Sequence, residues 1–289
     1  MGGGIAQVLA IRGHEVLLND VDEGRIRRGI EGIAKRLDRE VEKGRLTAEQ
    51  RGEILTHIDP RPHFHDLDIA LAIEAASENL ENKIGLFRDL DRNTPPETIL
   101  ASNTSSISIT TLAAVTSKPD RVIGMHFMNP VPVMKLVEII RGIATSDATY
   151  AFVRDLAVSL DKTPVEVRDF PGFISNRILM PMLNEAIYAL YEGVASVESI
   201  DTVMKLGMNH PMGPLELADF IGLDTCLAIM NVLYDGFGDS KYRPCPLLKQ
   251  YVAAGWHGKK SGRGFYQYSV ARPADDAKGA PVAPAAVAR

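Results

Sequence analysis

The chain has 289 residues, 45% of them apolar and 24% charged, and a formal net charge of −5. This length allows two domains with separate cores, and the composition is ordinary for a soluble protein. The negative charge gives no electrostatic basis for binding nucleic acid, and no apolar run is long enough to span a bilayer. Cys226 and Cys245 are too few for a disulfide framework and lack the spacing of a metal site. We expect two unreactive thiols in a reducing cytoplasm.

The first 20 residues have the pattern of the second half of a dinucleotide-binding unit. A helical pattern over Ile5–Ile11 is followed by a short strand pattern over Glu15–Asn19. In a complete unit, a buried strand leads into a G-x-G-x-x-G turn, and an acidic residue roughly 20 positions later binds the ribose hydroxyls. In this pattern Gly2 is the last glycine of the turn, Gly4 allows close helix packing and Asp20 binds the ribose. An ordinary glycine-rich helix start would give the same residues.

The strand and the opening glycines of that unit do not occur in this sequence. The strand would lie in the middle of a parallel sheet, so a sheet without it has two additional unpaired edges. The opening glycines would supply most of the amides that bind a pyrophosphate. We therefore expect Met1 to be an internal methionine of a longer natural chain.

Strand and helix patterns then alternate as far as Asp169, which predicts an α/β domain with a mainly parallel sheet. A long amphipathic helix with one basic face is predicted over Asp22–Lys43. The predicted strands are Ile69–Ala76, Thr98–Ala101, Val122–Phe127, Leu136–Ile140 and Thr163–Val167.

Polar residues follow two of these strands directly. Ser77, Glu78 and Asn79 close the first, and the segment 102–106 (SNTSS) closes the second. In open α/β sheets ligands bind beyond the carboxyl ends of the strands, so both endings are candidate sites. Helix capping is the structural alternative, because Ser, Thr and Asn cap helices well.

The stretch from Arg121 to Gly142 contains a histidine and a glutamate on two apolar runs. A Pro-x-Pro turn at Pro130 and Pro132 separates them, so we expect neighbouring strands that bring Glu138 within hydrogen-bond reach of His126. A histidine oriented by a carboxylate is a general base whose charged form is stabilised. The alternative is a core histidine beside a solvated glutamate.

Beyond Gly172 the pattern becomes purely helical, and it predicts a second domain. Predicted helices cover Phe173–Glu192, Val197–Leu206, Pro214–Ile221 and Leu223–Tyr234. Their many methionines suit a dimer core or an acyl-chain wall, and internal packing is the alternative. We expect domains at 1–169 and 170–270, with residues 271–289 forming a disordered tail because they are rich in Ala, Pro and charge.

Six motifs together resemble the 3-hydroxyacyl-CoA dehydrogenase family, in particular its bacterial 3-hydroxybutyryl-CoA branch. They occur in the family's order and spacing: GGGIAQVLAIRGHEV, ASNTSSISIT, HFMNPVPVMKLVEII, PGFISNR, MGPLELADFIGLD and GKKSGRGFYQY. The resemblance extends from Gly2 to about Tyr268 and implies a Rossmann-type N-terminal domain followed by an all-α C-terminal domain. It also implies NAD-dependent oxidation of a short-chain acyl-CoA substrate. The apolar helical domain makes a homodimer our expectation, and composition and residue spacing predict a cytoplasmic protein that binds no metal, nucleic acid or membrane.

The resemblance implies roles for individual residues. His126 matches the catalytic base and Glu138 its partner. Ser105, Asn176 and Asn129 match residues around the substrate's oxygen atoms. The residues that match cofactor-binding positions are Gly2, Gly4, Asp20, Glu78, Asn79 and Lys83. The basic helix near Arg36 to Lys43 matches a region that contacts acyl-CoA, with no single residue singled out.

Two other functions fit parts of the sequence. A crystallin-like relative would act on a free hydroxy acid or sugar acid. A non-catalytic protein would lack a complete cofactor loop, although it would have no need to retain all four of His126, Glu138, Ser105 and Asn176.

Overall fold

A computed structural model describes residues 1–63, 65 and 67–268. The chain forms two compact units. The first consists of Met1–Ile178 with Asp235–Gly238, and the second of Leu179–Tyr234 with the described residues of 239–268. The tail expected over 271–289 lies outside the described residues.

The first unit contains both strands and helices throughout its length, as the sequence predicts. The strands are β1 Val16–Leu18, β2 Ile58–Pro60, β3 Leu71–Glu74, β4 Ile99–Ser102, β5 Val122–Phe127, β6 Leu136–Arg141 and β7 Thr163–Arg168. The helices are α1 Gly2–Ile11, α2 Glu23–Glu42, α3 Ala48–Thr56, α4 Leu80–Asn93, α5 Ile109–Ala113 and α6 Asp147–Ser159. Helix α7, Ser175–Tyr191, begins in this unit.

The strands form two sheets. Strands β1 and β2 pair in parallel, and a five-stranded sheet has the order β3-β4-β5-β6-β7. All neighbours in the larger sheet are parallel except β5 and β6, which are antiparallel. This arrangement agrees with the predicted Rossmann-like domain and its mainly parallel sheet.

Strands β5 and β6 are buried on both faces of the larger sheet. All six positions of β5 are buried. On one face, Met125 and Ile139 pack in a cluster with residues of α1 and α6, and on the other, Ile140 packs with residues of α4 and α5. Burial on both faces explains why these strands read as continuous apolar runs. A histidine and a glutamate in this setting need partners, because an unpaired buried polar group is costly.

Helix α1 packs tightly against the turn between β5 and β6. A Cβ atom added at Gly4 would lie 3.0 Å from the Cβ of Val131. This contact confirms that Gly4 allows close packing of the first helix.

Two elements of this unit escaped sequence prediction. Strand β2 has only three residues and includes Pro60, so it is too short to show a period. Helix α5 has five residues and follows directly on a polar loop. Strand β3 is also shorter than the predicted Ile69–Ala76.

The described part of the second unit is built mainly from helices. It begins with the later part of α7 and continues with α8 Val197–Gly207, α9 Pro214–Ile221, α10 Leu223–Phe237 and α11 Pro246–Ala253. Two buried aspartates organise it. Asp201 accepts hydrogen bonds from the Leu215 N–H and the Tyr266 hydroxyl, both at 2.8 Å, and Asp219 accepts one from the Phe265 N–H at 3.0 Å. These carboxylates therefore link residues 265–266 to α8 and α9.

Both cysteines are free, and the fold buries both of them. Burial raises the pKa of the Cys226 thiol to about 12 and also raises that of Cys245. Neither is therefore a thiolate at neutral pH.

In the described ranges, no single helix has both the length and the apolar composition needed to cross a membrane. Helices α9 and α10 meet that test only as a pair, across a bend of 97°. Across residues 1–63, 65 and 67–268, no group of three or more His, Cys, Asp or Glu side chains is placed to hold a metal ion.

Candidate active site

The candidate site is built around the antiparallel pair β5 and β6. His126 and Glu138 are direct partners in the register, so their side chains lie on the same face of the sheet. The Nδ1 atom of His126 lies 2.8 Å from Oε2 of Glu138, and both residues are buried. The hydrogen bond that the sequence predicted across this hairpin is therefore confirmed.

The start of α7 completes the environment of Glu138. The N–H groups of Ile174 and Ser175 donate to Oε1 at 3.2 and 2.9 Å, and the Ser175 hydroxyl donates to Oε2 at 2.8 Å. Burial alone would raise the pKa of Glu138, but the hydrogen bonds from His126 and Ser175 outweigh it, and the pKa is lowered. Glu138 is therefore a carboxylate at neutral pH, placed where a helix N-terminus favours an anion.

An ionised carboxylate can only accept hydrogen bonds, so Nδ1 of His126 carries the proton of their shared bond. In the neutral imidazole this leaves the lone pair on Nε2. The pair is therefore arranged so that Nε2 can accept a proton while Glu138 stabilises the resulting imidazolium.

The polar segment after β4 lies against the same elements. The Nδ2 group of Asn176 donates to the carbonyl oxygen of Ser105 at 3.1 Å, which joins two predicted site residues from distant parts of the sequence. The N–H of Phe127, next to His126, donates to Oδ1 of Asn103 at 2.9 Å. Both bonds hold this loop at the carboxyl ends of β4 and β5.

Glu78, which follows β3, accepts hydrogen bonds from the polar segment 102–106. Its Oε1 atom accepts hydrogen bonds from the Thr104 hydroxyl at 2.5 Å, the Ser105 N–H at 3.0 Å and the Ser106 hydroxyl at 2.9 Å. Burial would raise the pKa of Glu78, but the bond from Thr104 and the charge of Lys83 outweigh it, so the pKa is lowered. Glu78 thus holds the Ser105 loop as an anion.

A fully buried ion pair lies beneath Glu78. The ammonium of Lys83 donates to both carboxylate oxygens of Glu74, at 2.7 and 2.8 Å, and lies 3.3 Å from Glu78. The Ser102 hydroxyl also donates to Glu74, at 2.6 Å. The resemblance implied that Lys83 faces the cofactor, whereas its side chain is 1% exposed and binds these two glutamates. Asn79 caps α4 by accepting from the Asn82 N–H at 2.9 Å.

The other predicted cofactor residues lie near the amino end of α1 and the end of β1. Gly2 is the first residue of α1, and Met1 gives that helix no side-chain cap. Asp20 is exposed just after β1, with Oδ1 4.0 Å from the Arg25 guanidinium. Asn129 is exposed in the turn after β5.

The basic face predicted on α2 is partly used inside the fold. Arg36 donates to the side chain of Gln7 at 2.6 Å and to the carbonyl of Gly3 at 3.2 Å. Its guanidinium therefore joins α2 to the first turn of α1.

Comparison with known families agrees with this geometry. Residues 1–170 match the family profile described as "3-hydroxyacyl-CoA dehydrogenase, NAD binding domain", and residues 172–268 match "3-hydroxyacyl-CoA dehydrogenase, C-terminal domain". The chain belongs to the 3-hydroxyacyl-CoA dehydrogenase family. The resemblance read from the six motifs is thereby confirmed.

Relatives within the 3-hydroxyacyl-CoA dehydrogenase family match nearly the full length. The chain is 60% identical to a probable 3-hydroxybutyryl-CoA dehydrogenase of Bacillus subtilis, over 93% of this chain and 94% of that protein. It is 43% identical to the human mitochondrial hydroxyacyl-coenzyme A dehydrogenase, over 93% and 88%. A solved (S)-3-hydroxybutyryl-CoA dehydrogenase from Ralstonia eutropha has a TM-score of 0.92 and 52% identity, covering 93% of this chain and 96% of that one.

Several supporting residues of this family member were not found from the sequence. Ser175 lies inside the PGFISNR motif, but only the fold shows that it contacts Glu138. Glu74 ends a strand that was predicted, yet nothing in its spacing points to Lys83. Lys162 donates to the carbonyls of Val131 and Met134, at 2.6 and 2.8 Å, and so braces the Pro-x-Pro turn.

Proposed function

We propose that this chain catalyses the NAD-dependent oxidation of short-chain L-3-hydroxyacyl-CoA, of the 3-hydroxybutyryl-CoA type, to 3-ketoacyl-CoA, and the reverse reduction. The observation that carries the proposal is the buried hydrogen bond of 2.8 Å between His126 and Glu138. Oxidation of a secondary alcohol requires removal of the hydroxyl proton, and an oriented histidine is suited to remove it.

In this mechanism Nε2 of His126 takes the proton of the substrate's 3-hydroxyl. Glu138 keeps the Nδ1–H bond in place and balances the positive charge that develops on the ring. Bound NAD would supply the hydride acceptor for the carbon that carries that hydroxyl. In the reverse direction the imidazolium returns the proton to the ketone oxygen. General bases of this kind contribute about 10²- to 10⁴-fold in rate.

Ser105 and Asn176 are proposed to orient the substrate's oxygen atoms, together with Asn129. The bond of 3.1 Å between Asn176 and the Ser105 carbonyl fixes two of these residues relative to each other. Fixed donors hold the reacting carbon in one geometry and lower the entropic cost of the reaction.

The residues at the start of the chain fit NAD. Helix α1 begins at Gly2 without a side-chain cap, which suits an anion such as a pyrophosphate at its N-terminus. Asp20 is an exposed carboxylate after β1, which suits ribose hydroxyls and disfavours a 2′-phosphate. Glu78 and Asn79 are proposed to border the nicotinamide end, with Lys83 acting through Glu78.

We also propose that residues 1–169 bind the cofactor and that residues 170–270 contribute to acyl-CoA binding and form a homodimer in the cytoplasm. The second unit leaves large apolar side chains exposed, among them Val194, Leu206 and Phe220 at 72%, 83% and 63%. Exposed apolar surface of this kind is typical of an interface. Sedimentation of the purified protein tests this: a monomer at micromolar concentration would contradict the dimer.

The reaction is tested by assaying the reduction of acetoacetyl-CoA with NADH. Parallel assays replace NADH by NADPH, replace acetoacetyl-CoA by free acetoacetate, and measure the oxidation of gulonate with NAD. We expect turnover of the CoA ester with NADH, and much weaker turnover with NADPH or without the CoA group. Preference for a free acid would favour the crystallin-like alternative. Failure to bind NADH in a fluorescence titration would favour a non-catalytic protein.

A further inference from the structure

Ser175, the first residue of α7, contacts Glu138 through both its main chain and its side chain. Its N–H donates to Oε1 at 2.9 Å, and its hydroxyl donates to Oε2 at 2.8 Å. Oε2 is also the atom that accepts the Nδ1–H bond of His126 at 2.8 Å. One carboxylate oxygen is therefore shared by the base and by a serine hydroxyl.

We propose that Ser175 is a positioning residue for the dehydrogenase reaction. Its hydroxyl sets how strongly Glu138 stabilises the protonated ring of His126. This inference rests on the proposed function. A carboxylate oxygen that accepts a second hydrogen bond has its negative charge stabilised and attracts its other partner less strongly. The hydroxyl therefore weakens the hold of Glu138 on the imidazolium, so that the base returns to its neutral form at a lower pH.

The side chain of Ser175 can be tested separately from the helix N-terminus. The two amide donors to Glu138, from Ile174 and Ser175, belong to the main chain and persist when the side chain changes. Only the bond from the hydroxyl to Oε2 is removed by a substitution such as Ser175→Val. Ser175 is half-buried rather than enclosed, so a side chain of similar size can be accommodated.

Other charged residues on the elements around this pair have partners of their own. Glu78 and Lys83 bind each other, Asp169 accepts from the N–H groups of Ile109 and Thr110 at the start of α5, and the Arg177 guanidinium lies over the ring of Phe237. On the strand beside β6, Glu166 pairs with Arg141. Glu138 is thus the one carboxylate among these that bonds to the base.

The test compares Ser175→Val with Ser175→Thr, which have similar shapes but differ in the hydroxyl. The pH profile of kcat/KM is measured for the hydroxyacyl substrate at saturating cofactor. Without the hydroxyl, the acid limb of the oxidation profile should move to higher pH by about half a unit. This shift is equivalent to a roughly threefold higher proton affinity of the His126 ring. Ser175→Thr should keep the limb within about 0.2 units of the wild type. A lower plateau with an unmoved limb in Ser175→Val would overturn the proposal, because loss of packing alone has that effect.

A second readout does not need activity. The ring signal of His126, identified by its absence in His126→Gln, is followed by NMR as a function of pH in the three proteins. The midpoint should rise in Ser175→Val and stay in place in Ser175→Thr. Equal midpoints in all three would overturn the role of Ser175, even in an active enzyme. A shifted midpoint in a protein without dehydrogenase activity would instead count against the proposed function alone.

Discussion

Replacing Glu138 by Gln removes one charge and almost no volume, so it isolates the electrostatic role of this carboxylate. Both oxygens of Glu138 accept hydrogen bonds, from His126 and Ser175 on Oε2 and from main-chain N–H groups on Oε1. An amide has only one oxygen, so its NH₂ group must face a donor whichever way it is oriented. The substitution therefore loses the negative charge and at least one hydrogen bond.

The size of the effect follows from the geometry. Opposite unit charges about 4 Å apart attract by roughly 4 kcal/mol at an effective dielectric constant of about 20. The hydrogen bond that the amide oxygen retains offsets part of this, so we expect a loss of about 2–4 kcal/mol in the step that charges the ring, or roughly 30- to 1,000-fold in kcat. The acid limb of oxidation should move to lower pH, the direction opposite to that expected for Ser175→Val.

The assay for Glu138→Gln is the oxidation of 3-hydroxybutyryl-CoA by NAD as a function of pH, with NADH affinity measured by fluorescence. Glu138→Asp serves as the matched control, since it keeps the charge and shortens the side chain by one methylene. NADH affinity should stay within about threefold of the wild type, because the carboxylate contacts His126 and α7 rather than the cofactor residues. A folded Glu138→Gln protein with wild-type turnover and an unmoved pH profile would refute the assigned role.

Three further substitutions test other parts of the structure. Asp20→Ser should raise the NADPH-to-NADH ratio of kcat/KM about tenfold, because a carboxylate repels a 2′-phosphate; an unchanged ratio would count against the ribose role. Lys83→Met should lower the free energy of unfolding by about 3–5 kcal/mol, measured by urea denaturation, because Glu74 is left buried and unpaired; a loss below about 1 kcal/mol would contradict it. Gly4→Ala should cost about 1–3 kcal/mol by overpacking against Val131, and Val131→Ala should restore part of it. Additive losses in the double variant would show that the two residues do not press on each other.

The sequence predicted the fold class and the central hairpin because both leave strong periodic signals. Strands β5 and β6 are continuous apolar runs interrupted by one histidine and one glutamate, and a proline-rich turn fixes their order. The pairing of residues 126 and 138 follows once the two strands are antiparallel. The contact between them could therefore be predicted from sequence alone.

The support around the site could not be predicted, because it depends on contacts between distant segments. Glu138 and Ser175 are 37 positions apart, and Asn176 reaches Ser105 across 71 positions. Lys83 has the spacing of an ordinary helix residue, and only the fold shows that it is buried against Glu74. Motif resemblance matched it to the nicotinamide side of the cofactor, and the fold adds that its ammonium lies between Glu74 and Glu78.

The most direct measurement of the central claim is the turnover of His126→Gln, determined together with its NADH affinity. If Nε2 of His126 is the proton acceptor, kcat should fall by about 10²- to 10⁴-fold while the dissociation constant for NADH changes by less than about threefold. A folded variant that keeps more than about a tenth of the wild-type kcat would show that another group removes the proton.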